Sequence, residues 1–191
     1  MITNFKNFNE SSNDEKRYIF SMFHLTDYAS EYIDSGRDVN ITLNGESLLT
    51  NSLAQDYTDI SIKLIKAGAD VNFFDGYATP LFYAISYNHY DIVKLLFEYG
   101  AKLKNEPMGD DKTCELTTAI LMVDPNDSHS WNIVDLLLDN GAKFYDDEFY
   151  NDDCLFTIYD NVDFSAIENE MRKRFDIDDF LKKKKANDFN L

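Results

Sequence analysis

The glycines at positions 36, 68 and 100 are evenly spaced, and each closes an apolar run patterned for a helix. An unrelated helical chain has no reason to keep such a period, so the spacing restricts the fold to a stack of similar units. A fourth glycine, Gly141, closes a run of the same kind but comes nine positions later than that period demands. Aligning Ala119 with Ala84 and Ile133 with Ile92 divides the excess into six positions between the apolar runs and three before them. The six belong to Val123-Asp124-Pro125-Asn126-Asp127-Ser128-His129-Ser130, a loop composition, and the three lengthen the segment around Asn105-Glu106-Pro107-Met108-Gly109.

The stretch from Thr79 to Ala101, TPLFYAISYNHYDIVKLLFEYGA, predicts two short antiparallel helices joined by a tight turn. Thr79 can cap the first helix with its hydroxyl, and Pro80 fits the first helical position, where no backbone N–H is needed. Leu81, Ala84 and Ile85 make one apolar stripe, and Tyr87-Asn88-His89-Tyr90 turns the chain. Ile92, Val93, Leu95, Leu96 and Phe97 restart the stripe, and Gly100 supplies the left-handed residue that ends it. The stretch resembles the ankyrin repeat (TPLHxAA…GHxxIVxLLLxxGADVN), with Phe82 in place of the His, Ile85 of the second Ala, and Asn88 of the Gly before His89. A helix pair of this size cannot bury its own apolar face, so neighbours must stack against it.

The other units follow the same plan. Asp38-Val39-Asn40 matches the closing DVN of the repeat, as does Ala67 to Asn72, AGADVN, and Ser47 stands where Thr79 does. The first unit is degenerate, with Tyr18-Ile19-Phe20-Met22-Phe23 and Tyr28-Ala29-Tyr32-Ile33 as its apolar clusters. Its Glu15-Lys16-Arg17 edge suits a capping unit exposed to water. Leu116, Ala119 and Ile120, then Ile133, Val134 and Leu136 to Leu138, form a fourth unit; Cys154 to Tyr159 with Ile167, Met171 and Phe175 form a divergent last one. The resemblance implies an all-α solenoid of about five helix-pair units with divergent caps. It would be one domain over 1–191, with repeats at approximately 15–40, 41–72, 73–105, 106–144 and 145–181. Residues 1–14 are expected to be loosely attached, and the last six or so, beyond Lys182 to Lys185, to fray.

Chemistry finds little purchase here. The closest pair of glycines, Gly68 and Gly76, is eight apart, which excludes a P-loop or a dinucleotide-binding cluster. His24, His89 and His129 stand in no metal-ligand spacing, and His89 occupies a family position where His braces the turn. There is no GxSxG elbow. Cys114 and Cys154 read as small buried apolar residues. Asp146-Asp147-Glu148 and Asp176/Asp178/Asp179 lack the glycine and terminal Glu of a calcium loop. Catalysis, cofactor and metal are therefore not expected. No apolar run has the length of a membrane span, and the first ten residues lack a signal peptide's layout, so a cytoplasmic protein is expected. The net charge is −17, from 18 basic and 35 acidic residues. That balance repels nucleic-acid phosphates and acidic membranes and favours a basic partner, although acidity also serves solubility alone.

In the ankyrin family, fingertips and the two residues after the central Ala-Ala line a concave groove that binds other proteins. The resemblance carries that role to Ala54 and Gln55, Ser86 and Tyr87, and Leu121 and Met122. It makes fingertips of Thr42-Leu43-Asn44, Phe73-Phe74-Asp75-Tyr77, the Pro107 finger and Phe144 to Asp153. The expected binding residues are Phe73, Phe74, Asp75, Tyr77, Ser86, Tyr87, Leu121, Met122, Tyr145, Asp146, Asp147, Phe149, Tyr150 and Asp152. Rings in an acidic surround suit a protein-binding site, with rings as anchors and carboxylates steering a cationic partner; the alternative is that the rings fold back on a neighbouring repeat. The leading expectation is a protein, monomeric when free, that sequesters a basic protein such as a toxin, as immunity or inhibitor proteins do. An adaptor or effector whose acidity is incidental, or a nucleic-acid mimic that blocks a DNA-binding enzyme, stands beside it.

Overall fold

The computed structural model describes residues 13–106, 108–109, 113–124, 128–142, 169 and 173–174. Among these stand eight α-helices in four hairpins: α1 (Asn13–Met22) with α2 (Thr26–Asp34), α3 (Leu48–Ala54) with α4 (Thr58–Lys66), α5 (Pro80–Ser86) with α6 (Tyr90–Glu98), and α7 (Glu115–Leu121) with α8 (Asn132–Asp139). Helices α3, α5 and α7 pack side by side in one layer, and α2, α4, α6 and α8 in another, so the chain is an all-helical solenoid. The fifth unit expected from the sequence, 145–181, falls outside the described residues except for 169 and 173–174.

Helices of seven to ten residues are marginal alone, and these owe their stability to a shared core. In α5 and α6 the buried stripe is Leu81, Ala84, Ile85, Ile92, Val93 and Leu96, none more than 1% exposed. The same apolar cluster runs without a break from Ile19 to Ala142. Leu95 and Phe97 lie at its border, half-buried.

Helix ends are set locally. Pro80 opens α5, and the Thr79 hydroxyl accepts the Phe82 N–H at 3.2 Å. Ser47 caps α3 in a reciprocal box with Thr50, at 3.0 and 2.9 Å. Gly36, Gly68, Gly100 and Gly141 follow the caps of α2, α4, α6 and α8 with φ of +74°, +90°, +87° and +86°. At the last three the glycine N–H and the next alanine N–H reach back to two carbonyls of the helix, as in Gly68 to Ile65 at 3.1 Å and Ala69 to Leu64 at 3.0 Å. This is the Schellman closure, which needs a residue at ease at positive φ.

Two asparagines tie each finger to the next unit. The Asn40 side chain donates to the Gly68 carbonyl at 3.1 Å and accepts the Asp70 N–H at 2.7 Å. Asn72, one period on, repeats the pair with Gly100 at 3.0 Å and Lys102 at 2.8 Å. The next equivalent position is Lys104, and there the device changes. Glu115, 0% exposed at the start of α7, accepts the Lys104 and Asn105 N–H groups at 2.8 and 3.0 Å, one on each oxygen. Desolvation raises its pKa, opposed by these backbone N–H groups and by Lys104.

Three details depart from the sequence reading. A short ladder, β1 (Thr42–Leu43) with β2 (Glu46–Ser47), is folded by an Asn44-Gly45 turn with φ of +54° and +93°. Glu15 is not on a water-exposed edge. It is 3% exposed, with the Arg37 guanidinium 3.8 Å from its carboxylate, because a charge this deep needs a countercharge. The end of the predicted loop at 123–130 is part of one turn of 3-10 helix (Ser128–Trp131) that leads into α8 and buries Trp131. Among the described residues no helix is long and apolar enough to cross a membrane.

Candidate protein-binding surface

The finger before α5 is built around Asp75. Its Oδ1 accepts the Tyr77 and Ala78 N–H groups, both at 2.8 Å, and its Oδ2 accepts the Tyr83 hydroxyl at 2.9 Å. Burial, then the Asp75 carboxylate, pushes the Tyr83 phenol well up. Asp75 thus holds the tip in shape with both of its oxygens. Tyr77 stacks on Tyr83, with centroids 6.2 Å apart and planes 23° apart, yet stays 41% exposed. Phe74 is exposed, with Lys104 Nζ 4.0 Å from its ring centroid, and Phe73 is half-buried. Tyr77 thus leans on a ring of its own unit and keeps an open side.

Phe82 has a tertiary reason to be apolar where the repeat has His. It is buried in a small cluster with Ala78 and Met108. The next finger closes over it through backbone bonds between Met108 and Thr113 at 2.9 and 3.1 Å, and from Gly109 N–H to the Tyr77 carbonyl at 3.0 Å. A Cβ on Gly109, at φ +73°, would meet Phe82 Cε1 at 3.0 Å, so the close approach needs glycine.

The remaining described candidates lie at the other end of the first-helix layer. Gln55, Tyr87 and Met122 are the C-caps of α3, α5 and α7, hence equivalent positions. Tyr87 and Met122 are 45% and 42% exposed, whereas Leu121 packs against the core. The half-buried Ser86 hydroxyl is spent on the Phe82 carbonyl at 3.0 Å. Tyr87 donates its hydroxyl to the Ala54 carbonyl of the preceding unit at 2.9 Å and stacks on His89 at 6.1 Å. His89 Nε2 bonds Asp56 Oδ1 at 2.5 Å, so this histidine braces one loop against another.

The fold thus brings Phe73, Phe74, Asp75 and Tyr77 together at the finger end, and Ser86, Tyr87, Leu121 and Met122 at the loop end. The seven residues of α5 separate the two groups by about 10 Å at 1.5 Å per residue. Tyr145, Asp146, Asp147, Phe149, Tyr150 and Asp152, like Pro107, lie outside the described residues. Sequence reasoning missed Tyr83, Lys104 and the Asp56–His89 brace. Writing the chain in rows of one glycine period points to the last, since Asn88, next to His89, then falls beneath Asp56. Among the described residues no His, Cys, Asp and Glu side chains are grouped to hold a metal ion.

Residues 21–106 match the family model for ankyrin repeats, in three copies. Over 104 residues the chain is 33% identical to a protein of fowlpox virus (strain NVSL) named as ankyrin repeat protein FPV031. The matched stretch is 53% of this chain and spans 28% of the viral protein's length.

Proposed function

We propose, from the premise that residues 21–106 match the ankyrin repeat family, that the chain is a non-catalytic module that sequesters a basic protein, such as a toxin. Ankyrin repeats indicate protein–protein interaction; the basic partner, and action as a monomer in the cytoplasm, are the further step. The observation that carries it is the set of large side chains kept outside by a fold that has bonds to fix them. Tyr77 stands on Tyr83, and Tyr87 is tied to Ala54 and His89, yet both rings remain open to solvent. Rings ordered before binding lose little freedom when a partner arrives, and a net charge of −17 draws a cationic one.

Capture of partners from the protein's own cell at low and at high salt tests this. A basic protein held at low salt and released at high salt is expected. Only neutral or acidic partners, held regardless of salt, would mean that the acidity is incidental. Changing Tyr77, Tyr145 and Asp147 together to Ala should weaken capture and leave the melting temperature nearly unchanged. Unfolding of that variant would return those residues to the core.

A further inference from the structure

The two ends of the stack differ in their bases: at the finger end acids such as Asp34, Asp38, Asp70, Asp75 and Glu98 stand among bases, and in the loops of the second and third units they do not. Arg37, Lys66, Lys102 and Lys104 all follow or close second helices, at the finger end. The loop segments of the second and third units, residues 54–62 and 86–93, contain Asp56, Asp59 and Asp91 and neither lysine nor arginine. Lys63 and Lys94, further along α4 and α6, are the bases nearest to them in sequence. These two loops are joined by the Asp56–His89 bond and by the Tyr87 hydroxyl on Ala54, which puts Asp56 and the Tyr87 ring on one braced surface, with Asp59 and Asp91 in the first turns of the helices that follow.

Elsewhere on the stack the chain already holds a cation in this way. The Arg174 guanidinium carbon lies 4.6 Å from the centroid of Trp131, the cap of α8, and its Nε donates to Asp135 at 2.8 Å. A ring at the loop end of the fourth unit and a carboxylate one turn along α8 together receive an arginine. The loops of the second and third units offer the same two elements, a ring and carboxylates, with Tyr87 45% exposed.

We propose that these two loops form a docking surface, centred on Tyr87 and flanked by Asp56, Asp59 and Asp91, for a lysine- or arginine-bearing segment of a protein partner. The proposal rests on the protein-binding reading above and adds where the cation lands: at the loop end, not on the fingertips. Fixed carboxylates beside a ring meet both the charge and the apolar stem of a long basic side chain.

The probe is a fluorescein-labelled decapeptide of alternating lysine and leucine, titrated with the full chain at ~50 and ~300 mM salt, with a glutamate–leucine peptide alongside. The lysine peptide should bind, lose affinity with salt, and shift amide signals at 54–59 and 86–91. Asp59→Lys with Asp91→Lys should weaken it about tenfold or more, and Tyr87→Ala should weaken it too. A control pair, Asp34→Lys with Glu98→Lys, makes the same change in net charge at exposed positions of the finger end and should have a much smaller effect. Equal losses from the two pairs, binding of the glutamate peptide, no binding of the lysine peptide, or shifts confined to the fingers would each overturn the surface. A chain that still captures a basic protein but ignores the loop substitutions would overturn the surface while leaving the proposed function standing.

Discussion

The joint between the second and third units and the joint between the third and fourth do the same work with different chemistry. In the first, Asn72 reaches one period ahead and satisfies a glycine carbonyl and a backbone N–H with one neutral amide. In the second, three extra finger residues break the register, lysine stands where asparagine would, and a fully buried carboxylate takes the two N–H groups instead. An amide suffices where the period holds, because donor and acceptor arrive at fixed offsets. Where the period fails, the joint needs a side chain from the far side and carries a desolvated acid as the cost.

The largest effect tests whether either joint divides the molecule. Leu96, 0% exposed in α6, belongs to a core that crosses both joints, so Leu96→Ala should cost about 2–5 kcal/mol in one cooperative denaturant transition. Half-buried Leu95→Ala should cost less. Two separate transitions would mean that the joints part independent folding units.

Cutting the joints themselves comes next. Glu115→Gln leaves one buried N–H facing an amide NH2 and should cost ~1–3 kcal/mol in equilibrium unfolding; Asn72→Ala, at an exposed joint that water can repair, should cost about 1 kcal/mol. Equal costs would erase the contrast drawn above. Replacing Gly68 or Gly141 by Ala should cost ~1–2 kcal/mol at either position, because an added Cβ meets nothing within 4 Å and only the positive φ is penalised. Thermal melts of the two variants should shift alike, one on each side of the irregular joint.

The smallest effect is one of pH. The carboxyl of Glu115 is raised by burial, so the folded state holds its proton more tightly than the unfolded one. Its contribution to stability is full below the ordinary glutamate range and is lost as pH rises through the raised value. The stability gap between the native chain and Glu115→Gln should therefore narrow as pH rises above the ordinary glutamate range, while the gap to Asn72→Ala stays flat. A gap that widens would mean that the backbone N–H groups outweigh burial.

Much of the fold was legible from residues that act on near neighbours. Thr79, Ser47 and Pro80 cap or open helices within one turn, and the helix-ending glycines need only their own φ. The candidate surface was legible in part. Large apolar tips and turns could be named, but not that Asp75 would be used up inside its finger, nor that Tyr77 and Tyr87 stand at opposite ends of a helix. Glu15 reads as an exposed residue until Arg37 is found 3.8 Å from it. Phe82 reads as a lapse from the repeat until Met108, on the following finger, is found covering it.

By itself, then, the order of residues determined the period and the helix pairs, because these follow from spacing and from hydrogen bonds closed within a turn or one repeat. Only the stacked structure decided which acids are buried and which rings stay open. Those properties depend on groups far apart along the chain that meet only when hairpins of unequal length are laid side by side.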